Sequence, residues 1–313
     1  MQSAVRHIVL ITLFSVALAL ELYAQENIFS HFFVAGTCLN PAHAGDTRFA
    51  QIQVAERIQP TVSGVLLTNS LVSYDQKLRN HRAGIGISFN QETSRYKEQH
   101  VKANYSHTVV LFRKFWIKGG LGISLNSLNT QAGNLQFADQ YNNYGYTGEP
   151  TQESLSGEKA IYPGVSAGLA AFIDNSWITI GVDNINRPGI QILGDKYRAP
   201  FILFASTGYL FPIDKQKRGK RLFSRNGGLM PYSSIGPVAT FYKNGPFHAF
   251  TLGLNAFTKP VFWGVNFRYN AIYSDYFTDG VASLNLLAGY RIENISLAYS
   301  YAVSYTHLTL PTN

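Results

Sequence analysis

The sequence predicts an all-β protein, an antiparallel transmembrane β-barrel of about 14 strands when complete, and three observations carry that prediction. Charged residues make up only 14% of the 313 residues, against roughly a quarter in ordinary soluble domains. Aromatic side chains are plentiful, with 19 Tyr and 21 Phe. Apolar residues alternate with polar or small ones over runs of about 9 to 11 residues, the length that crosses a bilayer when tilted. A β-sandwich would share this period; aromatic residues at the ends of the runs favour the barrel.

Residues 1–24 read as a signal peptide: Arg6 and His7 form a basic start, an apolar run follows from Ile8 to Leu20, and Ala24 offers a small residue for cleavage. The run is too short to span a bilayer as a helix, and no later segment offers the roughly 20 apolar residues that a helix needs. The chain is therefore expected in the outer membrane of a Gram-negative cell after cleavage. Residues 25–46 form an N-terminal segment, 47–302 the barrel and 303–313 a tail of different character.

Within the barrel, Val101, Ala103, Tyr105, Val109 and Leu111 oppose Lys102, Asn104, Ser106 and Thr108. Ile117, Leu121, Ile123 and Leu125 oppose Lys118, Gly120, Gly122, Ser124 and Asn126. Val261, Trp263, Val265, Phe267 and Tyr269 oppose Phe262, Gly264, Asn266, Arg268 and Asn270. One face is greasy and would meet outer-membrane lipid; the other is polar and glycine-rich. Tyr74, Tyr105, Trp116, Trp177, Tyr269 and Tyr290 sit at run edges and read as interfacial girdles.

Roughly thirteen strands are counted where an even number is usual. The closing residues VSYTHLTLPTN carry Pro311 and no alternation, and resemble the translated transposon-adapter sequence found at the ends of metagenomic open reading frames. The expectation is a barrel whose last strand is missing. Short connections at Gln76–His81, Ile173–Ser176 and Arg291–Asn294 would be periplasmic turns. The long connections Leu128–Ala160 and Asn184–Arg198 would be extracellular, leaving a long basic turn, Asp214–Gly227, on the periplasmic side.

The formal charge of +8 does not point to nucleic acid. Its one dense run, Lys215 to Arg225, reads as a solvated turn or as a contact for anionic lipid or an envelope partner. Cys38 is the only cysteine and lies well past the cleavage site, so no disulfide, cysteine metal site or lipid anchor is expected. Gly164-Val165-Ser166-Ala167-Gly168 matches a nucleophile elbow, but no helix follows, and Ser166 is expected mid-strand in a non-catalytic protein. His31, His43, His81, His100, His107 and His248 lack the helical spacing of a zinc site. Asp139, Glu149, Glu153 and Glu158 lack the ladder of a calcium loop. No metal or cofactor is expected.

Several short motifs remain. Phe29-Ser30-His31-Phe32 precedes Asn40-Pro41-Ala42-His43-Ala44-Gly45. Ser73-Tyr74-Asp75 follows, then Phe137-Ala138-Asp139-Gln140, Ile180-Gly181-Val182-Asp183-Asn184 with Arg187-Pro188, and the Gly264–Tyr269 strand. In order and spacing this set resembles the PorP/SprF family of type IX secretion proteins over essentially the whole mature chain. His43 departs from the usual aromatic. The resemblance implies a Bacteroidota outer-membrane component of the secretion and gliding apparatus. It would support export or surface anchoring of large adhesins with type B C-terminal domains and meet periplasmic ring components. Phe29, Ser30, Asn40, Pro41, Gly45, Ser73, Tyr74 and Asp75 would serve structure or partner docking. On the residues alone, Asn40 to Gly45 is a turn into the first strand, and the segment could instead plug the barrel or dock a periplasmic partner. A polar inner face with Lys102, Lys118 and Arg268 also suits a passive porin-like channel.

Overall fold

The computed structural model describes residues 29, 36–47, 50–60, 66–78, 82–94, 96–112, 114–130, 141–142, 145–147, 159–192, 195–213, 233–273 and 278–305. Ser30, His31, His81, Asp139, the basic run 215–225, the signal segment and residues 306–313 lie outside them. A short helix, α1 (Gly36–Leu39), and a 3-10 turn (Pro41–His43) precede the strands.

The wall is one antiparallel sheet in chain order. It comprises β1 (Gln51–Pro60), β2 (Leu66–Lys77), β3 (Ala83–Thr93), β4 (Lys97–Phe112), β5 (Phe115–Asn129), β8 (Lys159–Ile173) and β9 (Ser176–Asp183), then β12 (Ile202–Tyr209), β14 (Ser234–Asn244), β15 (Phe247–Thr258), β16 (Val261–Tyr273), β17 (Thr278–Ile292) and β18 (Ile295–Tyr305). The short β13 (Phe211–Pro212) pairs with β14. Two hairpins stand outside the sheet: β6 (Tyr141–Asn142) with β7 (Gly145–Tyr146), and β10 (Gly189–Ile192) with β11 (Asp195–Arg198). Among the described residues no ladder joins β1 to β18, so the sheet is open there. β18 runs to Tyr305, three residues beyond the break expected after Ala302.

The alternation sets the two faces. In β4 Val101, Tyr105 and Val109 are exposed on the outside, whereas Lys102, Asn104, Ser106 and Thr108 are buried inside. β16 does the same, with Val261 to Tyr269 outward at odd positions and Asn266, Arg268 and Asn270 inward. An apolar outer face with a polar interior suits a wall bathed in lipid. Tight connections join the strands at one end: Asp174 at the β8–β9 turn and Glu293 at the β17–β18 turn take positive φ of 51° and 47°, as short hairpin turns demand. The long connections before β8 and β12 leave the opposite end.

Two of the expected girdle residues face the other way. Trp116 and Trp177 are buried inside, Trp116 stacked on Phe172 at 5.7 Å, and both join Ala42, Ala170, Leu210 and Val238 in an apolar cluster. Their position in the alternation explains this. Trp116 shares its side of β5 with Lys118 and Gly120, and Trp177 shares its side of β9 with Thr179 and Gly181. Tyr105, Tyr269 and Tyr290 do point outward. A second cluster of Leu128, Ala160, Tyr162, Ile190 and Ala199 lies towards the long-loop end, where β10 meets β8.

Candidate functional site

Residues Gly36 to Asp46 form a strap on the inner wall, the helix packed against β2, β3 and β9 and the 3-10 turn against β4, β5 and β8. Asn40 caps the 3-10 turn, its Oδ1 accepting from the Ala42 amide at 2.8 Å, with Pro41 preset for the first turn position. Gly45 takes φ 65°, a conformation open to glycine at little cost.

The floor under the strap is glycine. A Cβ on Gly84 would overlap Ala44, one on Gly120 would overlap Ala42, and one on Gly168 would overlap Asn40. On Gly181 it would press on Leu39 and Asn40. The glycine-rich inner face therefore allows a second backbone to approach closely.

Around that floor stands a ring of donors aimed at strap carbonyls. Lys102 donates to the Cys38 carbonyl at 2.7 Å and pairs with Asp183 at 2.6 Å. Asn104 donates to Thr37 at 2.9 Å, Ser106 to Ala44 at 2.7 Å and Lys118 to Ala44 at 2.8 Å. Lys118 also pairs with Asp46 at 2.6 Å. Across the lumen, Arg268 of β16 donates to the Phe29 carbonyl at 2.7 Å.

The strap's own side chains lock in return. Asn40 Nδ2 donates to Thr179 Oγ1 at 2.5 Å and to the Ile180 carbonyl at 3.0 Å. Asp75 of β2 accepts the Gly45 amide at 3.0 Å. His43 Nδ1 meets Asp46 at 2.6 Å, and its Nε2 lies 3.2 Å from Thr179 Oγ1. Burial would raise the Asp46 carboxyl, but the Lys118 ammonium and His43 outweigh it and hold the group at about 2. Burial pushes the Cys38 thiol up, so it stays protonated beside Ser88, 3.4 Å away.

The sequence model for the family described as type IX secretion system membrane protein PorP/SprF matches residues 21–313. The chain belongs to the PorP/SprF family. No curated protein matches it. Among solved structures it is similar to BamA from Haemophilus ducreyi lacking POTRA domains 1–3, at 10% identity over 92% of this chain and 77% of that one, with a TM-score of 0.37. It is also similar to the TodX ΔS2S3 mutant monoaromatic hydrocarbon channel, at 14% identity over 89% and 81%, with a TM-score of 0.34.

Several residues of the PorP/SprF-like motifs, dispersed in sequence, meet at or beside the strap. Asn40, Pro41 and Gly45 lie in it and Asp75 holds it. Ser73 shares the inner face of β2 with Asp75, whereas Tyr74 points outward and bonds Gln76 at 2.7 Å. Gly181 floors it, Asp183 steadies Lys102, and Arg268 holds Phe29. Phe29 also borders an inner cavity with Leu39, Phe204, Thr251 and Arg268. The sequence places Lys102, Lys118 and Arg268 on the inner face without revealing that Lys102 and Lys118 clamp the strap and Arg268 holds Phe29. Asp46, Asn104 and Ser106 were missed as partners, because nothing local to a strand announces a carbonyl 60 or more residues away. Ser166 lies mid-strand in β8, buried on the inner face with Gly168 beside Asn40.

Proposed function

We propose that this PorP/SprF barrel resides in the outer membrane of a Bacteroidota cell after signal-peptide cleavage and acts without catalysis. It serves as a docking or anchoring component for a secreted adhesin with a type B C-terminal domain, on the periplasmic ring of the type IX apparatus. Membership of a type IX secretion family over residues 21–313 carries this reading. The clamped strap supports it over an open passive channel, since a polypeptide bound on the inner wall takes up space that an open pore would leave free.

The test is deletion of the gene followed by counting adhesin at the cell surface. Loss of surface adhesin, restored by the wild-type gene, is expected. Unchanged adhesin in the deletion strain overturns the anchoring role, and a large constitutive conductance of the purified barrel in planar bilayers favours the porin.

A further inference from the structure

We propose that the inner wall of β3, β4, β5, β8 and β9 is a binding track for an extended polypeptide segment, with Gly36–Asp46 as its resident, displaceable occupant. The second ligand, a small-residue segment of a secreted polypeptide with a similar Asn-Pro-Ala core, rests on the function proposed above; the track itself does not.

Recognition runs mainly through the occupant's backbone. The carbonyls of Thr37, Cys38 and Ala44 take hydrogen bonds from Asn104, Lys102, Ser106 and Lys118. A carbonyl is common to every residue, so another chain can use the same donors. The glycine floor adds a size rule, admitting backbone and alanine-sized groups at close range. Two side-chain requirements sharpen it: an amide where Asn40 meets Thr179 and the Ile180 carbonyl, and a carboxylate where Asp46 meets Lys118.

Displacement is compatible with the fold. The strap adds no strand to the sheet, and the ladders β3–β4, β4–β5, β5–β8 and β8–β9 are complete without it. The track also has capacity that the resident leaves unused. Asn104 Oδ1 and Ser166 Oγ flank Gly122, are deeply buried, and have no partner among the described residues. They offer an acceptor and a hydroxyl to the amide and carbonyl of a further occupant.

The probe is a dye-labelled peptide spanning residues 36–46 with Cys38→Ser, added to the full-length barrel in detergent. Asp46→Asn in the barrel weakens its tethered strap while the peptide keeps its own carboxylate. Ser88→Cys places a thiol opposite Cys38 so that oxidation locks the strap in place. Anisotropy should show the Asp46→Asn barrel binding peptide at least tenfold more tightly than wild type. Binding to oxidised Ser88→Cys/Asp46→Asn should fall at least tenfold and return with reductant in the same sample. Absence of binding to the reduced Asp46→Asn barrel at millimolar peptide, equal binding with the lock closed, or failure of the lock to form overturns the proposal. The assay contains no secretion machinery, so its failure is separate from failure of the adhesin-anchoring role.

Discussion

Replacing Lys118 by methionine isolates the clamp. The side chain is 3% exposed and bonds both the Ala44 carbonyl and Asp46, whose side chain is 30% exposed. Breaking a fully buried pair costs about 3–5 kcal/mol, but Asp46 regains water on its open side, and methionine keeps the packed stem. A loss of about 2–3 kcal/mol follows, near the strength of hydrogen bonds to charged groups, which is on the order of 100-fold in the docked-to-released ratio of the strap. Hydrogen exchange reads this directly. The strap amides of Asn40, His43, Ala44 and Asp46 are hydrogen-bonded within the strap, to Gly36, Asn40, Pro41 and His43. They should exchange about 100-fold faster in Lys118→Met, while β4 and β5 amides keep their protection. Lys114→Met is the control: its pair with Asp174 spans 3.2 Å between side chains 67% and 40% exposed, and such pairs contribute about 0–1 kcal/mol. Strap exchange within threefold of wild type in Lys118→Met, or equal effects of the two variants, refutes the clamp.

Three further outcomes follow from the same geometry. Gly120→Ala puts a methyl into the Ala42 backbone, so strap protection should fall by tenfold or more while the barrel still resists heat in detergent gels. Asn40→Asp turns a donor facing the Leu169 and Ile180 carbonyls into a repelled acceptor; strap release by at least 2 kcal/mol, on the order of 30-fold, should appear in exchange, with Asn40→Ala milder. Acid should loosen the strap in a defined window. Asp46 titrates at about 2 when docked, against an ordinary 3.8. The docked state is therefore fully favoured above about pH 4 and loses that advantage as pH falls towards 2. Fluorescence of Trp116 and Trp177, which share a cluster with Ala42, should report a transition in that window that Asp46→Asn shifts or abolishes.

Much of the wall was legible because alternation is local. The faces of β4, β5 and β16 follow from odd and even positions alone, and Lys102, Lys118 and Arg268 fall on the inner side as read. Trp116 and Trp177 were misassigned because a tryptophan at a strand end suits a lipid interface and a lumen cluster equally; their parity with Lys118 and Thr179 was the deciding signal and pointed inward. The glycines could be counted but not explained, since Gly84, Gly120, Gly168 and Gly181 answer to strap residues from 40 to 142 positions away in the chain. Asn40, Pro41, Gly45 and Asp75 stood out as motif residues, but that they converge on the strap shows only in three dimensions.

The strap precedes every strand of the wall, yet it cannot seat until most of the wall exists. Asn40 waits for Thr179, 139 residues later, and Phe29 for Arg268, 239 residues later. Closing such intervals delays these contacts behind the neighbouring hairpins. A slip of one residue in any strand of the floor would turn its glycine outward and raise a bulkier side chain beneath the strap. A segment that precedes the whole wall in the chain is thus among the last to settle, and its settling records that β3, β4, β5, β8 and β9 have found their register.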